Sequence, residues 1–205
     1  GGNSDGGGAV GPYNATGAFC NCDFVNHHAT FKGGAIFFYN QGSLTVQGSN
    51  FVGNYTTQND SGGGGAIQVN SSSSTLNLVD NAFSGNTTNG QGGAIYHNGV
   101  GGSVEARQCS FSNNTAKNEG GAIFARRVTT YGSSFNHNVS SKRGGAIASF
   151  DFNLMNLFES TFVANTSATG GGALDNLGYQ PGAVGNVQSC LFSANVGVDA
   201  SSGDI

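Results

Sequence analysis

Apolar and polar residues alternate in short stretches along the chain, as in Ser43-Leu44-Thr45-Val46, Thr75-Leu76-Asn77-Leu78 and Ser103-Val104-Glu105-Ala106. Alternation with a period of two is the signature of a half-buried strand. A slower period spaces these stretches. Gly-Gly-Ala-apolar tetrapeptides begin at Gly7, Gly33, Gly64, Gly92, Gly120, Gly144 and Gly171, 24 to 31 residues apart. A second motif, Phe-x-x-Asn, runs in phase with them at Phe51/Asn54, Phe83/Asn86, Phe111/Asn114, Phe135/Asn138, Phe162/Asn165 and Phe192/Asn195, with Phe24/His27 as a degenerate first copy. From Phe to the next Gly-Gly the distance is nine residues in five of six cases, whereas from Gly-Gly to the next Phe it ranges from 15 to 21. One side of the repeat is therefore fixed and the other takes insertions, as loops on one face of a stacked coil do.

These periods predict an all-β fold, a parallel β-helix of about seven coils with three short strands per coil, spanning residues 1–205 as a single repeat domain. Stacking at roughly 4.8 Å per coil gives a rod of about 34 Å and buries an inner face that no lone coil could bury. The apolar pairs seven and five residues before the Phe, such as Leu44/Val46 and Leu76/Leu78, differ in parity from the residues two before it: Cys22, Ser49, Asn81, Cys109, Ser133, Ser160 and Cys190. A corner at Gly48, Asp80 and Gly132 accounts for the flip. Phe24, Phe51, Phe83, Phe111, Phe135, Phe162 and Phe192 are expected to stack in the interior. Asn54, Asn86, Asn114, Asn138, Asn165 and Asn195 are expected to form a ladder in which each amide donates to one neighbour and accepts from the other, with His27 at its first rung. The paired Gly are assigned to a tight corner and the Ala to close coil packing.

Gly-Gly-Ala-Ile in fixed phase with Phe-x-x-Asn resembles the repeat of the chlamydial polymorphic outer membrane proteins and of other surface proteins that share it. The resemblance covers residues 7 to 195. It implies a right-handed parallel β-helix on a cell surface, usually in adhesion.

Composition narrows function further. The chain of 205 residues contains 36 Gly, and only 9% of it is charged, with seven basic against eleven acidic residues and a net charge of −4. Seven cations cannot make the basic stripe of a nucleic-acid-binding surface. No apolar run approaches the roughly 20 residues that span a bilayer. The chain reads as a processed chain or an excised piece, and the resemblance implies an extracellular, cell-surface location.

Cys22, Cys109 and Cys190 fall three coils apart, about 14 Å, too far to bridge; Cys20 and Cys22 could close only a strained loop. Eight Asn-x-Ser/Thr sequons occur. Asn54, Asn86, Asn138 and Asn165 sit on the ladder and are expected to stay unmodified. Asn14, Asn59, Asn70 and Asn113 are the candidate glycosylation sites. The acidic residues are scattered, and His28, His97 and His137 have no recurring carboxylate or Ser partner. No catalytic residue, metal or cofactor is therefore assigned, and the chain is not read as an enzyme. In the column before Gly-Gly, Lys32, Gln91, Glu119 and Arg143 read as a solvated face, with Glu119 and Arg143 able to pair.

Two functions follow. One is a structural or adhesive module whose partners are copies of itself stacked head to tail, neighbouring coils of a longer solenoid, or a host surface. Ser202-Gly203-Asp204-Ile205, which looks like a worn Gly-Gly-Ala-Ile, favours uncapped stacking. The alternative is a carbohydrate-binding or carbohydrate-active β-helix, with Tyr39, Tyr55, Tyr96 and Tyr179 as exposed rings for glycans.

Overall fold

The computed structural model describes residues 8–11, 16–39, 42–57, 62–149, 155–176 and 185–197. Every regular element among them is a strand. Each coil contributes four strands. In the third coil these are Thr75–Val79, Ala82–Ser84, Thr87–Thr88 and Ile95–His97. Equivalent strands of successive coils pair in parallel, giving three sheets of seven strands and one of six, named here the Leu, Phe, Thr and Ile sheets after their inward residues in this coil. The chain therefore winds through six complete coils, and three strands of a seventh are described.

Four strands per coil corrects the expected three. The Asn of Phe-x-x-Asn closes a corner, and a two-residue strand follows it before Gly-Gly, as at Tyr55–Thr56 and Thr166–Ser167. Two residues are too few to display a period, so this strand leaves no trace in the hydrophobic pattern.

Register is constant throughout. Phe51 pairs with Phe24 and Phe83, and Ile95 with Ile67 and Ile123. The seven Phe rings consequently stack face to face, with centroids 4.7 to 4.9 Å apart and planes within 8°. That separation is the strand spacing itself. Phe51 to Phe162 are fully buried, each ring worth about 2 kcal/mol or more of burial.

Corners lie at two columns of left-handed backbone. Asn21, Gly48, Asp80, Gln108, Gly132, Glu159 and Ser189 turn the chain from the Leu sheet to the Phe sheet with φ of 51 to 58°, as the parity flip required. Asn26, Gly53, Gly85, Asn113, His137, Ala164 and Ala194 turn it again two residues after the Phe, with φ of 51 to 64°. Most of these residues carry a side chain, each tolerating a conformation that costs about 1–2 kcal/mol. Ala164→Gly is therefore expected to raise unfolding stability by about 0.5–1 kcal/mol, after Gly's extra chain entropy is set against the relieved strain. Urea unfolding measures it.

The two Gly of each pair have separate roles. At Gly120 φ is +70°, and an added Cβ would meet the Ile123 carbonyl oxygen at 2.3 Å. At Gly93 the added Cβ would lie 1.9 Å from the carbonyl oxygen of Gly121 one coil on. The first Gly serves the corner and the second the approach of neighbouring coils.

Candidate functional site

A solenoid can act through its coil-to-coil faces, its outer surface or its loops, and the side chains that recur define the first of these. Asn114 shows one rung of the ladder. Its backbone N–H donates to Oδ1 of Asn138 (3.1 Å), and its Nδ2 donates both to that oxygen (2.9 Å) and to the Phe83 carbonyl (3.0 Å). Its own Oδ1 accepts from the N–H and Nδ2 of Asn86, each at 3.0 Å. The same set joins Asn54, Asn86, Asn138 and Asn165 to the rungs that follow them, and all five side chains are inaccessible to solvent. At the first rung, the His27 backbone N–H donates to Asn54 Oδ1 at 3.0 Å. At the last, Asn195 accepts from Asn165 and donates to the Phe162 carbonyl at 2.9 Å.

A second ladder stands at the corner before the Phe strand. Ser49 N–H donates to Asn81 Oδ1 (2.9 Å), Cys109 N–H to Ser133 Oγ (3.2 Å) and Ser133 N–H to Ser160 Oγ (3.2 Å). In the sequence this column stands out only by its parity. Its composition of Ser, Asn and Cys, all side chains with an acceptor near Cβ, was the available signal. The four cysteines are free, with Cys109 buried and Cys20 exposed.

The outer face of the Ile sheet carries Phe37, Gln68, Tyr96, Phe124, Ala148 and Asp175 in register. These positions point away from the inward Ile column, yet the first five are buried. Tyr96 and Phe124 stack at 5.6 Å, and Lys32 Nζ sits 4.9 Å from the Phe37 ring centre. Tyr96, expected as an exposed ring, is 8% accessible, and Gly62 lies against it. Burial pushes its hydroxyl pKa up, against the pull of an Asn98 hydrogen bond and the charge of Arg126. Tyr55 is exposed but stacked on His28 at 4.4 Å. Tyr39 is half-buried, and Tyr179 lies outside the described residues.

Charged groups border this face. Glu119 accepts from Gln91 Nε2 (2.8 Å) and pairs with Lys142 Nζ (3.9 Å). The Arg143 expected as its partner instead acts on Asp175, whose carboxyl is pushed up chiefly by burial and held back by the Gly171 N–H and by Arg143. Among the described residues no group of three or more His, Cys, Asp or Glu could hold a metal ion.

His97 lies in the Ile sheet with no exposed surface. Its Nδ1 accepts from the Gly99 N–H (3.1 Å) and its Nε2 reaches the Ser74 carbonyl (3.0 Å), an arrangement that requires the neutral ring. Burial lowers its pKa below the usual value. Because the unfolded chain takes up this proton first, the stability due to His97 is complete above about pH 6.5 and is lost as pH falls below it, by up to about 1.4 kcal/mol per pH unit until the folded-state pKa is passed. Comparing Tm between pH 8 and 5 for the protein and His97→Gln should show that the variant lacks this component.

Of the glycosylation candidates, Asn113 is exposed on a left-handed corner and Asn70 is half-buried. Asn14 and Asn59 lie outside the described residues. The ladder sequons have both amide hydrogens engaged, as the rungs above show.

With this geometry in place, comparison with known families is direct. The model of the Chlamydia polymorphic membrane protein repeat matches residues 82–98, 108–126 and 132–149. Each of the three matched segments of this repeat contains a Phe strand, the ladder Asn and the following Gly-Gly-Ala-Ile strand. The matched unit is thus the half-coil of fixed length, and the arc of variable length falls between matches. No curated protein and no solved structure matches the chain significantly. Among the described residues no helix is long and apolar enough to cross a membrane.

Proposed function

We propose that this chain is an extracellular structural and adhesive module: a rod of polymorphic-membrane-protein repeats on a cell surface that associates head to tail with copies of itself or forms part of a longer solenoid. The observation that carries this reading is where the recurring polar groups point. The two ladders commit their side chains to the neighbouring coils, so the repeat favours stacking. Its fixed arc supplies the scaffold, and the arc of variable length supplies loops for recognising a host surface.

The carbohydrate alternative draws less support from the same geometry. A sugar ring packs on an aromatic face, but the rings on this rod stack along its axis. Phe158 lies on one side of Tyr131 at 4.9 Å and the Arg107 guanidinium on the other at 4.3 Å, leaving the ring edge to solvent. A glycosidase needs two carboxylates facing one bond. Glu119 and Asp175, the two carboxylates near each other, are engaged with Gln91, Lys142 and Gly171.

Immunolabelling of intact cells of the source organism tests the reading. Labelling without permeabilisation is expected, together with binding of the purified chain to host-cell surfaces. Labelling that appears only after permeabilisation would overturn it.

A further inference from the structure

The sequence holds two Asn-Gly pairs, Asn89-Gly90 and Asn98-Gly99. In such a pair the backbone nitrogen of the Gly can attack the side-chain carbonyl of the Asn, because Gly brings no side chain to obstruct the approach. The two pairs are built differently. Gly90 N–H donates to the Thr88 hydroxyl at 2.9 Å, and Asn89 Nδ2 donates to the Thr57 carbonyl. A hydroxyl is no base at neutral pH, so the Gly90 nitrogen keeps its proton. Gly99 N–H donates instead to Nδ1 of His97, at 3.1 Å.

His97 has no exposed surface, and its Nε2–H donates to the Ser74 carbonyl at 3.0 Å, which fixes the tautomer that turns the Nδ1 lone pair to Gly99. The surrounding chain holds the reacting groups in place. Asn98 N–H donates to the Val69 carbonyl (3.3 Å), and the Gly99 carbonyl accepts from Gly102 N–H (3.2 Å). The Asn98 side chain is hydrogen-bonded to the hydroxyl of the buried Tyr96. Gly99 lies so close to the Ser71 carbonyl that any side chain there would clash. Base, nucleophile and electrophile are thus supplied by three consecutive anchored residues, an arrangement in which proximity replaces a chance encounter.

We propose that Asn98 is a self-modifying site, with His97 as general base and the Gly99 nitrogen as nucleophile. His97 Nδ1 takes the proton of the Gly99 N–H as that nitrogen forms a bond to Asn98 Cγ. The tetrahedral centre then collapses, the Cγ–Nδ2 bond breaks, and the proton held on Nδ1 passes to Nδ2, which leaves as ammonia. A succinimide ring remains and His97 is neutral again. Water opens the ring at either carbonyl, giving an aspartyl or isoaspartyl residue at position 98. The product gains a negative charge, and the isoaspartyl form lengthens the backbone by one carbon beside the turn in which Gly101 N–H is bonded to the Ser72 carbonyl at 2.7 Å. A loop of the variable arc therefore changes charge and shape as the protein ages. The reaction needs no partner and stands independently of the adhesive reading.

Peptide mass spectrometry of the purified chain, incubated at neutral pH in oxygen-18 water, tests this. Conversion of Asn98 is expected with one heavy oxygen taken up per event, at a rate about tenfold or more above that of Asn89 in the same folded molecules. In the chain unfolded in urea the His97 contact is lost and the two sites should react at similar rates. Unfolding should therefore slow Asn98 and quicken Asn89. His97→Gln keeps an acceptor for the Gly99 N–H but supplies no base, and should cut the Asn98 rate about tenfold while leaving Asn89 unchanged. If that variant does not unfold cooperatively, the comparison of folded with urea-unfolded chain decides alone. An Asn98 rate no higher than that of Asn89 in the folded chain, a rate that rises on unfolding, an unchanged rate in folded His97→Gln, or scission of the chain after Asn98 in place of ring hydrolysis would overturn the proposal.

Discussion

Asn114→Leu is expected to destabilise the protein by about 4 kcal/mol, from three polar groups orphaned in a dry interior at roughly 1–3 kcal/mol each. Leu fills a similar volume but cannot accept from the Asn86 N–H or its Nδ2, and cannot donate to the Phe83 carbonyl. A typical domain has about 5–15 kcal/mol in total, so one rung represents a large share of the margin. The outward-facing neighbour Ser112 supplies the control: Ser112→Ala should stay within about 0.5 kcal/mol. Equilibrium urea unfolding of both variants decides between a ladder that carries the fold and one that decorates it. A loss under 1 kcal/mol for Asn114→Leu would show that the corner backbone finds other partners.

Gly93→Ala should be comparably severe, at about 3 kcal/mol or more, through a different cause. The new methyl would meet the Gly121 carbonyl oxygen at 1.9 Å and the Thr115 nitrogen at 2.7 Å. Both are backbone atoms of the next coil, so relief requires the coils to part. Gly85→Ala separates this crowding from simple conformational strain. Its φ is +64° but an added Cβ meets nothing within 4 Å, so it should cost only about 1 kcal/mol. Equal losses at the two sites would refute the packing explanation.

Much of the coil could be read from the sequence because Phe, the ladder Asn and Gly-Gly-Ala return at the same positions in nearly every turn. That recurrence substitutes for an alignment. What escaped were positions where physics constrains the backbone but not the residue. The second left-handed corner, two residues after the Phe, accepts Asn, Gly, His or Ala, so no motif marks it. The two-residue strand is invisible for its shortness. The outer aromatic column was missed for another reason: Phe37, Tyr96 and Phe124 belong to single coils. Whether such a ring is covered depends on loops of coil-specific length, which is how Tyr96 came to be expected at the surface.

The even spacing of the ladder also bears on synthesis. Each hydrogen bond between consecutive rungs joins residues 24 to 32 positions apart, whichever coil is considered. Contacts are never more remote than the next turn, so folding can propagate from any nucleated pair of coils without waiting for distant segments. During translation or export, whichever end emerges first can wind while the rest is still extended. At every stage the most recent coil offers the following one the same seat.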